Sequence, residues 1–171
     1  MKMQALIMHR RVPIADVPVL SDADLVPRAG TPLIDAVCIA INIAKQDFAD
    51  QDRVVMTVMT DGAENSSKEF SLAQLRDLIK ERSAAGWDFV FLGAEIDAYA
   101  DARRFGLDVG ATMSYAASAL GESRAAYKSV ARRAKSYTGA REGFSDAEKR
   151  AAGDSFVPNE GNSYVATRRP R

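Results

Sequence analysis

The chain is 171 residues long, with 47% hydrophobic and 27% charged residues, which suits one globular domain or one domain with a tail. Its 23 basic and 23 acidic side chains cancel, so no global charge draws it to nucleic acid or to an anionic membrane. A single cysteine excludes an internal disulfide, and no apolar run approaches the roughly 20 residues of a membrane span. The N-terminal MKMQALIMHRRV holds too short an apolar stretch for a signal peptide, so the expected compartment is the cytoplasm. Met3 to Met8 is a short apolar run and reads as a strand. Val12 to Leu20 carries Pro13 and Pro18, which cannot donate to a ladder, and reads as an edge strand or extended segment. Ser21 to Gly30 is a loop.

A helix follows, with Thr31 at its N-cap and Pro32 in its first turn. Leu33, Ile34, Val37, Cys38, Ile41 and Ala44 mark its buried face. Arg53 to Thr60 is rich in Val and Met without alternation, as in a strand buried on both faces, and ends at Asp61-Gly62. Ser71 and Gln74 form a capping box for a helix that stops near Gly86. Trp87 to Leu92 is a strand, Asp97 to Phe105 a helix, Ala111 to Ser114 a short strand and Ala116 to Tyr137 a long helix. Ser145 to Glu148 could open a further turn of helix, and Phe156 to Arg171 reads as a polar tail. Strands alternate with helices from Arg53 onward, which predicts an α/β fold with an open, mostly parallel sheet.

Ligands of such sheets bind outside the carboxyl ends of the strands. Thr60-Asp61-Gly62 and Gly30-Thr31-Pro32 both fall there, and Asp61 and Thr31 offer two oxygens to a hard cation such as Mg²⁺. From spacing alone, a plain turn and a plain helix cap explain both segments as well.

The segment Gly30-Thr31-Pro32-Leu33-Ile34-Asp35-Ala36 resembles the G-T-x-L-x-D-A segment of von Willebrand factor type A (VWA) domains. Val54 to Asn65 is similar to their central strand and its T-D-G loop. Phe91-Leu92-Gly93-Ala94 with Asp97-Ala98 looks like a bacterial and phage branch of that family. The resemblance covers residues 1–140, leaving 141–171 as a C-terminal extension, expected to be partly disordered. It implies a doubly wound, Rossmann-like sheet with helices on both faces. It also implies a protein-interaction module with a metal-ion-dependent adhesion site for Mg²⁺ or Mn²⁺. In that site Thr31 and Asp61 are metal ligands, and a protein partner supplies an acidic residue. No D-x-S-x-S motif, which carries the family's remaining ligands, occurs in the chain. The family's first strand and helix would lie before Met1, so the expected sheet is N-terminally truncated and the metal site at most half complete. A fragment, a strand donated by a partner or by a homodimer, or closure of the neighbouring strands would each account for this.

Asp35, Glu64, Asn65 and Ser66 are expected at the rim of the ligand face, with Ser67, Glu95 and Asp97 nearby; a helix-dipole role for Asp35, a solvated loop for Glu64 to Ser67 and a helix start for Asp97 are the plainer alternatives. His9 has no second ligand beside it, and Cys38 belongs to the core. Arg124, Lys128, Arg132 and Lys135 form a basic stripe at helical spacing, read as a solvated face. Two alternatives from other classes stay open: a Mg²⁺-dependent hydrolase or phosphotransfer enzyme using Asp61, and a nucleic-acid-binding accessory protein using the basic helix 122–137. The first lacks a Ser/His or Cys/His pair and a Gly-rich phosphate loop, and only Glu64 stands near Asp61 as acid or base.

Overall fold

Six residues without a charge, Val55–Thr60, form strand β1. Asp88–Ala94 forms β2 and Thr112–Tyr115 forms β3. The computed structural model describes residues 7–21, 24, 30–49, 52–94, 96–136 and 142–155. Within them the sheet is parallel, in the order β1-β2-β3, with Val55 opposite Asp88 and Phe91 opposite Thr112. β2 lies between the other two strands and is buried along its whole length. That explains its run of large apolar residues on both faces. The fold is thus α/β with an open parallel sheet.

Among the described residues five helices connect or flank the strands: α1 (Leu33–Asp47), α2 (Leu72–Ala84), α3 (Ala98–Phe105), α4 (Leu120–Ser136) and α5 (Asp146–Ala151). α2 starts with the expected capping box, Ser71 exchanging hydrogen bonds with Gln74. Asp97 caps α3, accepting from the amides of Tyr99 and Ala100, and Gly106 ends it at φ 79°, a left-handed conformation open to glycine. A second capping box, Ser145 with Glu148, starts α5. α4 begins four residues later than its apolar spacing suggests. None of these helices is long and apolar enough to cross a membrane.

Two cores lie on opposite faces of the sheet. On one face Met56, Val58, Phe89 and Phe91 meet α1, α2 and α3 through Val37, Ile41, Leu75, Ala102 and Phe105. On the other, Val90, Leu92, Met113 and Tyr115 meet Ala126 of α4, Phe144 and Ala152. The alternation of β2 side chains between these cores is the ordinary consequence of strand pleating. The second core also holds a buried ion pair. Arg133 of α4 grips Asp88 with two hydrogen bonds of 2.8 Å, both side chains 3% exposed, and its guanidinium lies over Phe144.

The two sheet edges differ. Residues 142–155 close the outer edge of β3: Phe144 N–H donates to Gly110 O, Ala116 N–H to Ala152 O and Ser114 N–H to Asp154. Tyr99 Oη donates to the same Asp154 carboxylate at 2.6 Å. So this part of the C-terminal extension belongs to the folded body. The outer edge of β1 pairs with no described residue. Val12 to Leu20 forms no strand; it is exposed and extended around a short 3-10 turn, Ile14–Asp16. Two prolines in nine residues account for that. Arg10 ties the segment to the end of α1 through Asp47, and Arg11 lies over Phe48. Of the strand expected at Met3 to Met8, Met3 to Leu6 lies outside the described residues, and Ile7 and Met8 are in no strand.

Candidate functional site

At the carboxyl end of β1 the chain turns through Asp61 and Gly62. Thr60 holds that turn: its hydroxyl donates to Gly62 O at 2.7 Å and lies 3.2 Å from Gly62 N. The start of α1 abuts the same turn. A Cβ on Gly62 would stand 2.8 Å from Thr31 Oγ1, so the close approach of the two loops requires glycine there. Thr31 is also joined to Asn65 by a reciprocal pair, Thr31 N–H to Asn65 Oδ1 at 2.7 Å and Asn65 N–H to Thr31 O at 3.1 Å. Gly30, at φ 89°, lets the loop pass Ser66, whose hydroxyl would be 2.9 Å from a Cβ. That Ser66 hydroxyl is buried and has no hydrogen-bond partner among the described residues. The structure therefore brings Thr31, Asp61, Asn65 and Ser66 to one sheet edge, from segments about thirty residues apart.

Two of the acidic residues expected at the rim do something else. Glu64 Oε2 accepts from Ile34 N–H at 2.8 Å and from the Ser67 hydroxyl, while Oε1 accepts from Ser66 and Ser67 N–H. Burial pushes the Glu64 carboxyl up, but these hydrogen bonds prevail and hold it below its ordinary range. Asp35 is buried, 1% exposed, and accepts from Lys68, Glu69 and Phe70 N–H at 2.7–3.0 Å. Ser67 Oγ in turn accepts from Asp35 N–H. Glu64 and Ser67 thus cap α1 from a distance, and Asp35 orders the loop that holds them. The cap of α1 is not Thr31: Pro32 occupies that position without a side-chain bond. Thr31 is left to face Gly62.

Glu64, the one carboxylate offered as acid or base beside Asp61, has both oxygens engaged in this way. Asp97 is the helix cap of α3, and Glu95 lies outside the described residues. Asp61 is exposed, and its charge reaches Tyr115. The Tyr115 phenol is pushed up to about 12, first by burial, then by Tyr127 and by Asp61. Among the described residues no group of three or more His, Cys, Asp or Glu is placed to hold a metal ion. What the site offers a cation is one carboxylate, Asp61, and one hydroxyl, Thr31. Mg²⁺ commonly keeps several waters and takes one or two carboxylates, so these groups fit the rim of an open site and not a closed protein cage.

The basic stripe stands elsewhere. Arg132 is engaged by Glu148, with Nη2 3.0 Å from Oε2, and Glu142 lies 3.9 Å away. Arg124, Lys128 and Lys135 are exposed, and Lys128, Arg132 and Lys135 border an open depression on α4. Arg133, next to the stripe, is buried against Asp88. Cys38 is fully buried, its thiol pushed up to about 11 by burial and by Asp35, and His9 is exposed near the N-terminus.

Compared with protein-family models, with curated proteins and with solved structures, the chain finds no match. Fold likeness alone would in any case leave function open. The roles of Gly62 and Ser67 were not foreseen. A glycine after T-D gave a turn signal only; the need for close approach arises from a loop distant in sequence.

Proposed function

We propose that the chain is a binding module of the VWA type whose ligand face is the carboxyl edge of β1, built on Thr31, Asp61 and Asn65. The observation that carries this is the packing of Thr31 Oγ1 against the Asp61-Gly62 turn. It sets the Thr31 hydroxyl against the turn that carries the exposed Asp61. Asp35, Glu64 and Ser67 are committed to the scaffold, which holds the two loops in place at little further entropic cost on binding. Thr31 and Asp61 would be the protein's ligands to Mg²⁺ or Mn²⁺. A metal there would supply a positive centre for an acidic side chain of a protein partner, with water completing the shell. The doubly wound VWA architecture, with further strands beside β1, is part of the same proposal.

Calorimetric titration of the full chain with Mg²⁺ and Mn²⁺ tests it. Binding that is lost in Asp61→Ala and weakened in Thr31→Ala supports the site. Heats that are the same in Asp61→Ala, or no binding, refute the metal ligation.

A further inference from the structure

We propose that the cavity between α2 and the amino end of β2 is a binding site for a small aromatic carboxylate. It lies at the opposite end of the sheet from Asp61 and does not rest on the proposed metal site. One face of α2, the start of β2 and the link from α3 to β3 enclose it. Its volume of about 500 Å³ falls in the range of cavities that hold small-molecule ligands. Such sites combine apolar walls with a few polar groups that fix the ligand's orientation, and both are present here.

The walls select an aromatic body. Trp87 and Phe89, on either side of Asp88, both line the cavity, with ring centroids 6.3 Å apart and planes inclined by 33°. Both rings and Ile79 of α2 belong to the first core and are buried, so this wall is set before a ligand arrives. A flat ring laid against two inclined rings gains edge and offset-stacking contacts that an alkyl chain does not match. It also gives up no rotamer freedom on binding, which a flexible chain must.

The charges at the rim select an anion. Two carboxylates border the cavity, and both are engaged. Asp88 is held by Arg133, while Asp108 accepts from Gly110 N–H at 2.8 Å and its charge reaches Lys149. Two cations border it as well, and these stay available. Lys80 has no hydrogen bond or ion pair among the described residues, and Arg76 uses only Nε, which donates to Arg104 O at 2.8 Å. That bond steadies the guanidinium and leaves its two terminal nitrogens to donate. Arg76 and Lys80 stand one helical turn apart on α2, a spacing at which like charges disfavour the helix. A carboxylate between them accepts from both and removes that repulsion.

Titration of the full chain with naphthoate, followed by nitrogen–proton correlation NMR, is the test. Trp87 is the only tryptophan of the chain, so its indole N–H gives a single signal that reports on the cavity wall. A saturable shift of that signal is expected at millimolar ligand or below. Lys80→Gln and Arg76→Gln should each weaken binding roughly tenfold, the loss of one charge-assisted bond. Both positions are exposed, and an otherwise unchanged spectrum separates lost binding from lost folding. Naphthamide, with the same ring and no charge, should bind roughly tenfold more weakly, and octanoate, with the charge and no ring, should also bind more weakly than naphthoate. Asp61→Ala should bind naphthoate as the wild type does. No saturable shift overturns the proposal, as does binding indifferent to both Lys80→Gln and Arg76→Gln or to loss of the ligand's charge. Octanoate binding as tight as that of naphthoate overturns the aromatic class, and loss of binding in Asp61→Ala places the ligand at the other end of the sheet.

Discussion

Arg133→Met is the sharpest perturbation of the fold. Met keeps the length of the stem and much of its packing against Phe144, so the change removes chiefly the charge and the two bonds to Asp88. Asp88 is then a lone carboxylate at 3% exposure on the first residue of β2. Removing one partner of a buried pair costs about 3–5 kcal/mol, since the remaining charge has neither water nor counter-ion. At about 2–4 °C per kcal/mol for a chain of this size, that is a fall in Tm of roughly 10 °C. The companion variant Asp88→Leu with Arg133→Met replaces both partners by apolar groups and should recover most of the loss, because the pair's own desolvation cost disappears with it. Urea unfolding of wild type, both single variants and the double variant closes the cycle. Loss of less than about 1 kcal/mol in Arg133→Met, or a double variant as weak as the single, would refute the reasoning.

Three further outcomes follow from the same contacts. Glu64 is held below its ordinary value of 4.5, so its contribution to stability is present above that value and fades as pH falls through its lower folded value. Glu64→Gln should therefore flatten part of the fall in urea midpoint below about pH 4.5; an unchanged acid profile would show that its hydrogen bonds carry no net stability. Gly62→Ala places a methyl 2.8 Å from Thr31 Oγ1 and should displace Thr31 for a stability loss of about 1–3 kcal/mol. Any metal affinity should fall with it, and calorimetry showing unchanged affinity would uncouple the two loops. Cys38, with its thiol pushed up to about 11, should resist thiol reagents at pH 8 until the chain unfolds, and rapid labelling without denaturant would contradict its burial.

The order of strands and helices from Arg53 onward was legible because each signal is local. The Ser71–Gln74 box acts within one helical turn, and the structure places it as read; the Asp97 cap and the Gly106 end of α3 are local in the same way. The start of α1 was not legible in the same way. Thr31 carries the composition of an N-cap, but Glu64 and Ser67 do the capping from thirty residues away, and no local pattern records that. The same limit applies to the rim. Glu64 and Asn65 are neighbours in sequence, yet one is committed to the scaffold and the other joins Thr31 at the exposed edge. Docking of residues 142–155 was hidden for another reason: their apolar content is little more than Phe144 and Ala152, enough for a covered edge but too sparse to show as a periodic face.

The crossed bonds between α1 and the loop after β1 make the two a single cooperative unit. The amides of Ile34 and Asp35 are held by Glu64 and Ser67, while those of Lys68, Glu69 and Phe70 are held by Asp35. Neither half retains its partners if the other opens. Hydrogen exchange at these five amides is accordingly set by one shared opening free energy, despite their separation in the chain and the exposure of Lys68 and Glu69. A surface loop of this kind cannot be shortened or transplanted by itself: its order travels with the first turn of the helix it caps.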